Sequence, residues 1–331
     1  MNTKRAPSTH LGVLLLAIGA LGIASGCSSS STPESPAVNK NIYATQGSSV
    51  EIFPLTASGN VAPTTTISGA NTGFNDSHRS AFDASGNVYV TNAAGNSVAL
   101  FAASATGNAT PTATIIGAAT GLNFPSGIAL DATGKIYVTN SNGNSVTVYA
   151  ANASGNATPT ATIIGALTGL NFPNGIALNA QGNIYVVNGF GNSVTVFAAN
   201  ATGNATPTTT ITGAATGLIG PHALALDAAG KIYVTNAMNV GGNSVTVFAA
   251  NATGNATPTA TITGAATGLN NPNGIALDTL GNIYVGNAFG NSVTVYAATA
   301  TGNAAPTATI SGANTGFGAT GLGTLHGVAV R

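Results

Sequence analysis

GIALDATGKIYVTNSNGNSVTVYA, residues 127–150, holds three short apolar runs in 24 residues. GIAL (127–130), KIYVT (135–139) and SVTVYA (145–150) are rich in β-branched and aromatic residues, and Gly, Asn and Asp separate them. That is the pattern of short strands joined by tight turns. The DATG between the first two runs suits a turn whose glycine takes positive φ, as do DAAG and NAQG in other copies. A fourth run, TATII, stands at 112–116 and again at 160–164. The unit is therefore four strands, A to D.

The unit repeats. Arg79, Gly127, Gly175, Ala223, Gly274 and Gly327 occupy one register, with spacings of 48, 48, 48, 51 and 53 residues. The B-strand tyrosine occurs six times, at Tyr43, Tyr89, Tyr137, Tyr185, Tyr233 and Tyr284. The C-strand aromatic also occurs six times, at Phe53, Phe101, Tyr149, Phe197, Phe248 and Tyr296. Four strands in a unit of this length predict an all-β, six-bladed β-propeller. The first unit lacks an A strand and begins at NIYAT (41–45), while the chain ends on a lone A strand, HGVAVR (326–331). The last blade is thus expected to combine one C-terminal strand with three N-terminal ones, which leaves no open edge. A solenoid would instead carry atypical polar caps.

The consensus P-x-G-I-A-L-D-x-x-G-x-I-Y-V-x-N-x-x-x-N-S-V-x-V-[FY] resembles the NHL-type repeat of six-bladed propellers, over about residues 41–331. The resemblance implies that the A strands line a central channel. It also places the residue before each shared register position at the channel mouth: His78, Ser126, Asn174, His222, Asn273 and His326. His222, in GPHALALD (220–227), stands where its siblings have Ser or Asn, and is either drift or a functional departure. Every histidine except His10, which lies in the N-terminal segment, is on this ring. The B–C loop 237–243 is three residues longer than its siblings, and the D–A loop 313–325 is five longer. Both fall on the same face, which marks it as a binding face. Asp76 and Arg79 are the charges expected there. Asp83, Asp131, Asp227 and Asp278 read as turn caps on the opposite face.

The ring resembles that of peptidyl-α-hydroxyglycine amidating lyases, which implies a zinc set of His78, His222 and His326. It also resembles streptogramin lyases, which use His and Glu with magnesium. The only glutamates here, Glu34 and Glu51, are not expected at the mouth. Imidazoles suit zinc or another divalent transition metal rather than calcium.

Residues 1–26 read as a signal peptide, with Lys4 and Arg5 before the apolar stretch 11–24. ASGC ends on Cys27, the only cysteine, and resembles a bacterial lipoprotein signal. That resemblance implies acylation of Cys27, palmitate included, a polar tether over 27–39 and a propeller over 40–331. Ser28 after the cysteine implies the outer membrane, on its periplasmic or surface face, in a source with two membranes. One cysteine allows no internal disulfide.

Only 4% of the 331 residues are charged, with seven basic against seven acidic side chains. This excludes a nucleic-acid partner, which needs a basic stripe. It also excludes a disordered polyelectrolyte. The sequence is read as a monomeric, exported, lipid-anchored module at the cell envelope. It would bind a protein, glycan or small-molecule ligand rather than act as an enzyme. A metal-dependent lyase or hydrolase at the mouth, and a passive surface or adhesive protein, are the alternatives. The sequons at Asn108, Asn204, Asn251 and Asn255 read as C–D loop residues.

Overall fold

The computed structural model describes residues 41–237, 242–318 and 324–331. The signal peptide, the tether with Cys27, and the inserted stretches 238–241 and 319–323 lie outside the described residues.

Six four-stranded antiparallel sheets form the blades. Blades 1 to 5 run in sequence order, each opened by an A strand: Ser77–Phe82, Pro125–Leu130, Pro173–Leu178, Pro221–Leu226 and Pro272–Leu277. Blade 6 takes its A strand from the C-terminus, Leu325–Val330, and its other three from Asn41–Gln46, Ser49–Pro54 and Thr65–Ser68. The join is antiparallel, from Ile42 opposite Val330 to Thr45 opposite Gly327. Asn41 and Arg331 exchange backbone hydrogen bonds of 2.7 and 3.0 Å at its end. The predicted closure is therefore present, and blades 6 and 1 are neighbours.

A blade buries its apolar faces only against the next blade, so the core divides into one cluster per blade pair. Tyr89, Val98 and Ile115 of blade 1 pack with Ile128, Ile136 and Tyr149 of blade 2. Two contacts stitch the rim. The central residue of each D strand bridges to a glycine in the next blade's C–D loop, as Ile115 does to Gly155. The asparagine after that glycine then accepts a backbone N–H from the preceding blade: Asn156 from Ala119, Asn204 from Leu167, and Asn60 from Asn314 across the closure. The recurrent Asn of the C–D loops, Asn108, Asn204 and Asn255 among them, is thus an interblade clasp. The opposing Gly69 has φ +122, and a Cβ there would stand 2.5 Å from Asn108 Oδ1.

The A–B turns bear out the capping role of the aspartates. Asp131 Oδ1 accepts the N–H groups of Thr133 and Lys135, and the Tyr137 hydroxyl lies 3.3 Å from its Oδ2. Asp83, Asp227 and Asp278 cap their turns in the same way.

Candidate functional site

Every A strand slips register at one point, next to the ring position. In blade 2, Pro125 faces Asn140 and Ile128 faces Val138, so Ser126 and Gly127 together oppose Thr139 alone. Blades 1, 3 and 4 repeat this, and blades 5 and 6 shift at the same place. Such a bulge bends the strand and re-aims a side chain. It sets Ser126, Asn174, Asn273 and their counterparts around the channel mouth. The residue after each ring position lies where neighbouring A strands almost touch. A Cβ on Gly274 would come within 2.6 Å of Val328 N, so the register favours small residues.

Arg79 breaks that register, and its side chain fills the space that its small siblings leave. Nη1 donates to Ser126 Oγ at 2.9 Å, and Nη2 donates to the carbonyls of His222 and Asn273 at 2.9 and 3.0 Å. One guanidinium thus ties blade 1 to blades 2, 4 and 5 across the channel. The reason is partly visible in the B strands. Thr91 and Thr139 donate their hydroxyls to the ring carbonyl of the next blade, Ser126 and Asn174 respectively. Blade 3 has Val187 at that position, so the His222 carbonyl turns to Arg79 instead. Burial lowers the Arg79 pKa to about 10, which leaves it cationic at neutral pH.

Above this crosspiece, blades 1 and 6 bring Asp76, His78 and His326 together. Their ligand atoms all lie within 4.8 Å of one another. His78 Nε2 is 3.3 Å from Asp76 Oδ2, and His326 Nε2 is 3.6 Å from Asp76 Oδ1. The two imidazoles stack at 4.2 Å between centroids, 19° apart in plane. His78 Nδ1 is hydrogen-bonded to Ser126 Oγ at 3.2 Å, which orients the ring, and Thr324 Oγ1 lies 2.9 Å from His326 Nε2. Asp76 reaches the pair because it takes the left-handed conformation, φ +56, in the turn before its A strand.

Electrostatics favour the unprotonated forms of Asp76 and His326. The hydrogen bond from His78 is the largest influence on Asp76 and holds its carboxyl below the usual value. Burial, then the neighbouring His78, pushes His326 down to about 3. Burial, then the Arg79 charge, does the same to His222, also to about 3.

His222 does not join this group. It sits on blade 4, three blades from His78, with part-buried exposure, and its carbonyl rather than its ring contacts Arg79. The set of His78, His222 and His326 is therefore not assembled, and Asp76 takes the third place. Asn174 and Asn273 are buried on the ring away from Asp76. Glu51 is 3% exposed on the C strand of blade 6, so among the described residues no His–Glu pair forms at the mouth. The donor set that is assembled fits a divalent transition metal. Bonds of about 2.1 Å in a tetrahedral site put ligand atoms about 3.4 Å apart, and the three donors here lie within 4.8 Å of one another, each histidine facing a different Asp76 oxygen. A hydrogen-bonded second nitrogen on a ligating histidine is the usual support, and Ser126 supplies it to His78.

The family model described as the SMP-30/gluconolactonase/LRE-like region matches residues 25–204. No curated protein matches the sequence. Solved structures share the fold. A chain in the crystal structure of a nidogen/laminin complex is 20% identical with a TM-score of 0.60, covering 88% of this chain and 98% of its own. A protein of unknown function from Bacteroides caccae is 9% identical with a TM-score of 0.61, at the same coverages. A functionally unknown protein from Desulfotomaculum acetoxidans is 15% identical with a TM-score of 0.56, again covering 88% and 98%.

Proposed function

The chain belongs to the SMP-30/gluconolactonase/LRE-like family; from that membership and the geometry of its mouth we propose that it is a binding module, and from its N-terminal segment and ASGC box that it is exported and lipid-anchored. Its channel mouth takes a ligand at a divalent transition metal held by Asp76, His78 and His326. The observation that carries the reading is the convergence of those three donors on one face of an NHL-like propeller. The channel behind them is crossed by Arg79, so a ligand meets the metal from the mouth.

Calorimetric titration of chelator-treated mature protein with zinc is expected to show one saturable site. Asp76→Asn and His326→Asn should each weaken it at least tenfold, about 1.4 kcal/mol, while His222→Asn should leave it unchanged. Equal binding by all four proteins would refute the assignment. A hydrolase or lyase acting on the same metal is the second reading, favoured because three protein donors leave a coordination position for water. Assay of the zinc-loaded protein against a sugar lactone separates the two.

The anchor rests on the ASGC box alone. Labelled fatty acid should enter the wild-type protein, and Cys27→Ser should move the protein to the soluble fraction. Absence of label from the wild type would remove the anchor and leave the mouth reading intact.

A further inference from the structure

The mouth has a second, differently built half. Between blades 3 and 4, away from Asp76 around the ring, Phe172, Asn174, Phe190, Gly220, His222 and Asn271 line a cavity of about 220 Å³. No residue there carries a formal charge at neutral pH. Phe190 stands at the tip of the blade 3 B–C turn and is 64% exposed, as its blade 5 counterpart Phe289 is at 55%. Phe172 holds it in place, with centroids 4.3 Å apart and planes 15° from parallel.

Two further features mark this half. Phe172 has φ +54, a region that a bulky side chain disfavours. Gly220 in blade 4 and Asn271 in blade 5 take the same conformation and tolerate it, while Phe124 in blade 2 shares it at φ +57 beside His78. Backbone strain of this kind collects at ligand clamps. In addition, Asn174 is only 3% exposed, yet its Nδ2 has no hydrogen-bond partner among the described residues. Its Oδ1 is engaged by Ser141 Oγ at 3.3 Å, so the amide is oriented and a donor remains free. A buried donor left unpaired costs about 1–3 kcal/mol, and a ligand acceptor would offset that cost.

We propose that this cavity binds an uncharged aromatic ring bearing a hydrogen-bond acceptor, packed against the Phe172–Phe190 pair with its acceptor directed to the Asn174 amide and the His222 imidazole. Size agrees with the chemistry. A cavity of about 150 Å³ accommodates benzene, so 220 Å³ leaves room for a small polar substituent. Aromatic walls favour a ring that can stack or meet them edge to face. The lining holds no charged side chain, which disfavours an ion that would lose hydration there, and the Arg79 guanidinium near His222 is already engaged by Ser126 and two ring carbonyls. The inference rests on the reading of the mouth as a binding face, and not on the metal.

Benzamide is the probe, with benzoate as its charged counterpart and cyclohexanecarboxamide as its non-aromatic one. Binding is measured by saturation-transfer NMR and calorimetry on chelator-treated mature protein. Benzamide is expected to saturate one site, and both analogues to bind at least about tenfold more weakly. Phe190→Ala should weaken benzamide by a similar factor. Phe190 lies at an exposed turn tip, so its loss does not threaten the fold, which an unchanged thermal melt verifies. Asn174→Ser, which installs the blade 2 residue, should also weaken benzamide. No benzamide binding, equal binding by Phe190→Ala, or equal binding of either analogue overturns the proposal. Asp76→Asn should weaken zinc binding at least tenfold and spare benzamide, so failure of the metal site and failure of this cavity are read separately.

Discussion

A chain ending at Thr324 is expected to lose the cooperative fold, not merely one strand of it. The C-terminal strand is the innermost strand of blade 6, and it also packs against both neighbouring blades. Leu325 and Val328 are buried in the cluster with Tyr284, Val293 and Ile310 of blade 5, and the partly buried Val330 packs on the same cluster. Ala329 packs on the opposite side, with Val88 and Phe101 of blade 1. Burial of one Leu or Val side chain contributes about 1.5–3 kcal/mol, so Leu325, Val328 and Val330 alone approach the ~5–15 kcal/mol that holds a typical domain folded. The backbone pairing from Ile42 to Gln46 is lost with them, and a bare strand edge invites association. Thermal melts followed by circular dichroism, with size-exclusion chromatography, should show a chain without a sharp transition and prone to aggregate. Supplying residues 324–331 as a synthetic peptide should restore part of the transition. A truncated chain melting at the wild-type temperature would mean that this strand does not close the ring.

Closure is legible in the sequence because it follows from counting. Six B-strand tyrosines, six C-strand aromatics and an A strand displaced to the far end admit one arrangement. The turn aspartates are legible for the same reason, since each sits at a fixed offset from a Gly in a local turn. The mouth is legible only in part. Register identifies which residues share a face, but not how far a side chain reaches across it. Arg79 finds carbonyls 143 and 194 residues away, at His222 and Asn273. Two departures from the repeat hint at this: an arginine at an otherwise small position, and Val187 where Thr91 and Thr139 supply a hydroxyl. His222 shares the register of His78, yet three blades separate them, and only the adjacent blades 6 and 1 let two imidazoles stack. Asp76 joins through a backbone conformation that composition does not announce. Phe172 recurs as Phe124 in blade 2 and Phe190 as Phe289 in blade 5, but blade 3 carries both, and register alone does not tell that the two rings stack.

The same logic singles out Glu51, and here the expected effect depends on pH. Blades 2 to 5 carry Thr147, Thr195, Thr246 and Thr294 at this C-strand position, and blade 1 carries Ala99. Asn140 donates to Thr147 Oγ1 and Asn287 to Thr294 Oγ1, at 3.1 and 3.0 Å. In blade 6 the asparagine is replaced by Gln46, which donates to Gly316 O at 2.9 Å and accepts from Gly318 N at 3.1 Å, tying down the start of the lengthened D–A loop. Glu51 stands beneath that loop. Its Oε1 accepts from Ser49 Oγ at 2.6 Å, and its Oε2 is buried without a partner among the described residues. Burial outweighs these bonds and raises the carboxyl from 4.5 to about 7. The folded chain therefore holds this proton over a range in which the unfolded chain has released it. Its contribution to stability is intact below the unfolded value and falls as pH rises through the window from about 4.5 to about 7. A tenfold change in proton affinity is worth about 1.4 kcal/mol, so the total loss across the window is about 3 kcal/mol. Glu51→Thr, which installs the sibling residue, should be more stable than wild type by about that amount at pH 8 and should lose the advantage near pH 4.5. Urea denaturation of both proteins at the two pH values measures the difference. The other titrating groups affect both chains alike and cancel. If the gap between the two chains is the same at pH 4.5 and pH 8, Glu51 does not titrate in this window, and its buried carboxyl must have found a partner that the hydrogen bond from Ser49 does not account for.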